Sequence, residues 1–394
     1  MNTSWSLLVS ILISIVIVTG SACAISGEIY DMSSSVRIGG MGEAGVAITD
    51  GGAAYYNPAQ IGFPGIDYRI SLTSSPGLYY YYETDDQTYR RSRNNISLIL
   101  RPISVDVGEN AVFTAGIGFE FMRDDTHMLT TTYAHPEGTG ELFNYRQNLY
   151  RLSIGLGLRK FADFGVGFSV NGFKTPYYED DRRYSLDIGV LIGLPYDKIY
   201  SENIAEGEQR INIYPSFGVS VQKLLMDRPT ALMHEDFELT PAVRNGFAVK
   251  FSLDTKSGND ILSKFYLLPS YENWKNHYLT RGIYTTYSEA EEKTTAYGIE
   301  AGVYEALWLR AGHYEIKDNS RYDTYGASAS LKGILCLIFG RDENRDQGFL
   351  DLFARRIDLR ANYLNRSYEF KSYDGYHDGY DFDMYTIELR YYSF

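Results

Sequence analysis

The chain has 394 residues, a formal net charge of −13 and two cysteines, Cys23 and Cys336, so it offers no electrostatic footprint for nucleic acid and no disulfide framework. Its 36 Tyr and 20 Phe beside 37 Gly are unusual for a soluble enzyme and suit strands and membrane interfaces, where tyrosine is apolar in its ring and wet at its hydroxyl. A mean hydropathy of −0.27 leaves a membrane barrel open, because such a barrel shows lipid only every second residue.

The first 24 residues carry no Lys, Arg, Asp or Glu, and Leu7 to Val18 is apolar apart from Ser10 and Ser14. Ala22-Cys23-Ala24 sets small residues where a signal peptidase reads them, so residues 1–24 read as a secretory signal peptide cleaved after Ala24. The apolar run is short for a membrane anchor, and a lipoprotein reading through Cys23 meets Gly20 where Leu is wanted. Removal of the leader leaves Cys336 alone, without an intrachain partner. Beyond it, no run approaches the length of an apolar helix that spans a bilayer.

Residues 25–63 form a coil rich in Gly and Ala. Within it, Gly40-Met41-Gly42-Glu43-Ala44-Gly45 matches the spacing G-x-G-x-x-G. Dinucleotide binding needs a strand before that motif and a helix within a βαβ unit after it, and only Val36-Arg37-Ile38 precedes it. Small residues at this spacing instead let a segment sit inside something crowded. Asn57-Pro58 fixes a turn, because Pro58 sets its own φ and restricts Asn57.

From residue 64 to 394 the period is close to 2. Phe113, Ala115, Ile117, Phe119 and Phe121 alternate with Thr114, Gly116, Gly118 and Glu120. Leu152 to Leu158 alternate with Ser153 to Gly157, a hairpin spans Lys160 to Phe164, and Phe164 to Val170 continue the pattern. It returns at Leu186–Ile192, Phe217–Val221, Phe247–Leu253, Tyr297–Val303, Ile357–Tyr363 and Tyr385–Tyr391. About 13 to 16 such segments fit the alternation and turn rules, and helical spacing is rare. The chain reads as all-β and antiparallel. A sandwich and a transmembrane β-barrel share this pattern. A barrel is favoured by the unbroken length of the strand region, by an inner face rich in Gly and Ser, and by tyrosine clusters at segment ends. In that arrangement Lys250 and Glu300 fall on the inner face.

Polar loops are expected at Arg123 to Tyr145, Tyr196 to Arg210, Leu224 to Val243, Gly340 to Leu350 and Lys371 to Asp383. The acidic stretch Tyr373 to Asp383 reads as a solvated tip, since it lacks the spacing of a cation loop. Catalytic motifs G-x-S-x-G and H-E-x-x-H are absent, so no catalytic residue, metal site or cofactor is assigned. His313 falls in a strand, on the lumen or the interface.

The stretch Gly39 to Phe63, through Gly42, Gly45, Ala47, Asp50, Asn57, Pro58, Ala59 and Ile61, resembles the N-terminal signature of the FadL-like outer-membrane barrels, the family of long-chain fatty acid transporters, and within it the PorV/PorQ-type branch. Residues 215 to 253, with Leu239, Pro241, Arg244 and Gly246, resemble a second stretch of that family. Tyr392 and Phe394 resemble the C-terminal assembly signal of outer-membrane barrels, although the apolar row Tyr385 to Tyr391 runs on the other parity.

The resemblance implies a barrel of about 14 strands over residues 64–394, with residues 25–63 folded into its lumen as a plug. Gly40, Gly42, Gly45, Asp50, Asn57, Pro58 and Ala59 would shape or gate that plug, against the plainer alternative of a turn before the first strand. It further implies an outer membrane of Gram-negative type, outer-membrane lipid and the barrel assembly machinery as partners, and passive transport of small hydrophobic molecules. The alternative it implies is a docking barrel for exported proteins within a secretion complex.

Overall fold

The computed structural model describes residues 35–49, 55–63, 68–82, 87–108, 111–129, 142–174, 182–195, 208–224, 242–257, 260–281, 287–316, 320–339, 357–372 and 375–391. Fourteen strands dominate them. In chain order they are β1 (Tyr68–Tyr82), β2 (Gln87–Asp106), β3 (Val112–Leu129), β4 (Leu142–Arg159), β5 (Asp163–Lys174), β6 (Arg182–Gly193) and β7 (Gln209–Leu224). They continue as β8 (Ala242–Ser257), β9 (Asp260–Arg281), β10 (Tyr287–Val303), β11 (Leu307–Ile316), β12 (Ser320–Ser330), β13 (Ile357–Ser372) and β14 (Gly375–Tyr391). Each pairs antiparallel with its sequence neighbours, and β1 closes on β14 to make a barrel. That seam runs through seven register pairs, from Tyr68↔Tyr391 to Ser74↔Tyr385.

The faces of this sheet are reversed relative to a protein that folds in water. Along β4, Leu152 and Ile154 are 53% and 50% exposed, whereas Arg151 and Ser153 between them are each 1% exposed. Ile70, Leu72, Phe247, Leu309, Ile387 and Leu389 extend the apolar outer row around the wall. Closing the sheet on itself leaves no free strand edge among the described residues, which is what hydrocarbon demands of strands that cross it. A sandwich would bury the apolar face against a second sheet; here that face is the outside. Ile154→Arg is therefore expected to cost about 2–4 kcal/mol in a bilayer, read from urea titration of the refolded barrel in vesicles.

Several boundaries differ from the sequence reading. The hairpin after β4 is tighter, with only Lys160 to Ala162 between strands. Much of the expected loop Arg123 to Tyr145 is strand, because β3 runs to Leu129 and β4 starts at Leu142. The expected loop Lys371 to Asp383, with its acidic tip Tyr373 to Asp383, is largely hairpin: β13 and β14 pair down to Ser372↔Gly375. Its Tyr and Phe residues keep strand character despite the Asp and Gly between them. A helix unforeseen in the sequence, α2 (Leu331–Phe339), follows β12; nine residues are too few for a helical period to stand out. A single turn, α1 (Val36–Gly39), lies nearer the N-terminus. The loops expected within residues 225–241 and 340–350 lie outside the described residues. His313 stands on the outer row of β11, stacked on Tyr297 with ring centroids 5.0 Å apart and 2.7 Å from Asp323.

Candidate functional site: the occupied lumen

Residues 35–49 and 55–63 are enclosed by the wall. Ser35 caps α1 by accepting from the Ile38 amide at 3.3 Å, and the chain then turns through Gly42 and Glu43, both at positive φ. At Gly42 a side chain would strike the His313 backbone, so this position needs glycine on two counts. Asn57 opens a short 3-10 turn over Pro58–Ile61 by accepting from the Ala59 amide at 3.0 Å. Its side-chain amide donates to the Val46 carbonyl at 3.0 Å and to the Val190 carbonyl of β6 at 2.9 Å. One fully buried side chain thus caps a turn, joins two parts of the enclosed segment and ties them to the wall.

The wall is cut to receive this backbone. A Cβ added at Gly167 of β5 would meet Pro58 and Ala59, one at Gly218 of β7 would meet the Val46 carbonyl, and one at Gly298 of β10 would meet the Met41 carbonyl. These glycines are the crowded inner face anticipated from composition. Ile38, Met41, Val46, Ile48, Tyr55 and Tyr56 pack on Ala248, Tyr266, Leu268 and Trp308 of the wall. The contacts cluster toward the barrel end that carries Tyr68 and Tyr391, with Gly157 two residues from the end of β4 and Gly165 two from the start of β5.

Three buried carboxylates organise the rest. Glu300 of β10 accepts from Arg37 at 2.5 and 2.9 Å, from Arg310 at 2.5 Å and from Tyr266 at 2.6 Å. Glu272 of β9 accepts the Gly45 and Val46 amides at 2.8 and 2.7 Å with one oxygen and Arg244 with the other. Glu43, on the enclosed segment, accepts from Tyr56 and from Arg366 of β13. Burial, and then the neighbouring Glu43 charge, holds the Tyr56 phenol well above its ordinary range, so it stays a donor. Charges this deep are tolerated because each is paired and also hydrogen-bonded.

On the far side of the enclosed segment, toward the hairpin tips, the lumen turns aromatic. Trp274 and Tyr314 pack with Ala44 and Ala296, and Tyr322 joins them. Trp274 and Tyr314 have ring centroids 5.1 Å apart, Tyr314 and Tyr322 4.7 Å. The Arg244 guanidinium lies 4.1 Å from the Trp274 ring and 4.8 Å from that of Tyr56, within cation–π range. Beside this floor a cavity of about 10 Å³ is lined by Glu43, Tyr55, Gln222, Lys223, Ala242, Arg244 and Trp274. That is about one water, and its lining is largely polar. Lys223 sits in a bulge of β7 at positive φ, its amide 2.9 Å from Asp187.

Of the residues singled out in the sequence, Gly40, Gly42, Gly45, Asn57, Pro58 and Ala59 are buried in the lumen. Asp50, Tyr392 and Phe394 lie outside the described residues. Sequence reasoning missed the anchors Arg37, Glu43, Glu272 and Arg366. For the two on strands, Glu272 and Arg366, the signal was parity, since each falls on the inner row; Arg37 and Glu43 lie on the enclosed segment, where no strand period marks them. Among the described residues, no group of three or more His, Cys, Asp or Glu is placed to hold a metal ion.

No protein-family model and no curated relative matches the chain. Solved structures similar to it include the Pseudomonas putida toluene transporter TodX, at 9% identity over 94% of this chain and 99% of that one, with a TM-score of 0.43. The Ralstonia pickettii toluene transporter TbuX is similar at 11% identity over 90% and 97%, with a TM-score of 0.39. The transport unit of the Escherichia coli autotransporter AIDA-I is similar at 9% identity over 83% and 89%, with a TM-score of 0.32. None of the three bears on the PorV/PorQ branch.

Proposed function

We propose that the chain is an outer-membrane β-barrel through which small hydrophobic molecules cross passively, between the enclosed segment 35–63 and the wall. Lipid covers the outer face in this reading. The observation that carries it is the aromatic floor of Trp274, Tyr314 and Tyr322, on the hairpin-tip side of the lumen, which rests directly on Ala44 of the segment. A small apolar molecule gains contact area there, and a shift of the segment opens its way onward. Docking of exported proteins would act through outer loops that lie outside the described residues, and no described feature favours it.

The test uses a tether. Ser216 of β7 donates to the Ala47 carbonyl at 2.7 Å, so Ala47→Cys with Ser216→Cys, in a Cys23→Ser, Cys336→Ser background, places two thiols across the gap. Cells carrying the oxidised tether are expected to lose uptake of radiolabelled toluene and to regain it on reduction. Equal uptake in both states sinks the proposal.

A further inference from the structure

We infer that α2 is an interfacial anchor, lying along the headgroup boundary of the bilayer at the barrel end that carries both Tyr68 and Tyr391. This rests on the membrane reading above but concerns a different part of the molecule.

The helix, Leu-Lys-Gly-Ile-Leu-Cys-Leu-Ile-Phe, has one charged residue, Lys332. It nonetheless leaves Leu331, Leu337 and Ile338 39%, 48% and 66% exposed. Stacked at about 100° per residue, Leu331, Ile334, Leu335 and Ile338 share one arc, while Gly333 lies opposite. Gly333 is the buried one: a Cβ there would meet the Glu305 carbonyl and Ala306, in the turn between β10 and β11. Its amide donates to the Ser330 hydroxyl at 2.9 Å, and that hydroxyl donates to Asp358 at 2.6 Å. The side opposite the apolar arc is therefore pinned to the rim of the wall at Gly333, with Leu337 exposed one turn further on, and the arc itself is left facing away.

What covers the arc follows from where it begins. Ser330 points into the lumen, so Leu331 is the next outward residue of the β12 row. The apolar arc continues the lipid-facing belt, which on the neighbouring strands includes Leu307, Leu309 and Leu359. Other turns at the same end repeat the theme: Val107, Phe161 and Leu194 are 55%, 74% and 46% exposed. A ring of apolar residues at one rim, with a helix in its plane, is the arrangement of a structure that dips into the acyl boundary.

The full chain in phospholipid nanodiscs, again in the Cys23→Ser, Cys336→Ser background, tests this with nitroxide labels on single cysteines. Ile338→Cys reports on the arc, Leu156→Cys on the outer belt, and Glu208→Cys on an exposed polar site. The ratio of collisions with oxygen to collisions with a water-soluble nickel chelate is expected to be about fivefold higher at 338 than at 208, approaching the value at 156. A ratio at 338 equal to that at 208 overturns the anchor while leaving the membrane reading intact. So does spin–spin broadening at 338 between labelled copies, which would make a second copy the occupant. A water-like ratio at 156 as well removes both.

Discussion

Replacing Glu272 with leucine is expected to destabilise the barrel by about 3–5 kcal/mol, because it strands a buried guanidinium. Arg244 is 4% exposed, and the carboxylate it donates to is fully buried. The same substitution also removes the acceptor of the Gly45 and Val46 amides. The two losses separate in a cycle. Adding Arg244→Leu to Glu272→Leu restores the part due to the unpaired charge and leaves about 1–3 kcal/mol for the two buried amides. Urea titration of the refolded variants, followed by the heat-sensitive shift of folded barrels on gels, reads both. A cost under about 1 kcal/mol for Glu272→Leu would mean that water reaches Arg244, and would contradict the packed lumen described above.

Gly218→Leu is expected to eject the enclosed segment without opening the wall. A side chain at 218 collides with the Val46 carbonyl. The wall cannot retreat, because Gly218 is registered with Leu191 on one side and Gly246 on the other. The segment therefore yields. Trypsin, excluded from Arg37 while that residue is 5% exposed, should cleave there. Ion conductance in planar bilayers should rise at least about tenfold as a polar lumen fills with water. Gly172→Ala is the control, since the added methyl faces only the Tyr184 ring at 3.3 Å. Protection of Arg37 in the Gly218→Leu protein would show that the segment is held elsewhere more strongly than by this close fit.

The wall was legible in the sequence because a period of 2 is imposed by two different environments on its two faces. Leu152, Ile154, Leu156 and Leu158 stand outside as their alternation required, and Lys250 and Glu300 stand inside. The enclosed segment was legible only as a composition: Gly and Ala announced close quarters, but not which wall residue each would meet. The anchors were harder still. Arg37 and Glu300 are joined across 263 positions of chain, and nothing local at either residue names the other. The hairpin of β13 and β14 was read as a loop because its Asp and Gly residues outweighed the tyrosines between them. The short helix α2 was lost because its apolar residues run nearly without interruption, which hides a period.

The seam between β1 and β14 sets an order of events. The segment that fills the lumen leads the chain, and the strand that completes the wall comes last. With backbone pressed on backbone at Gly167, Gly218 and Gly298, the described residues of the segment fit the lumen most closely when they are seated as the wall closes. The leading segment is then expected to be in place when β14 reaches β1, with the seven-pair ladder forming late and the occupant serving as the form around which the cylinder is rolled. Deleting residues 35–63 should then slow the zipping of that ladder more than any other.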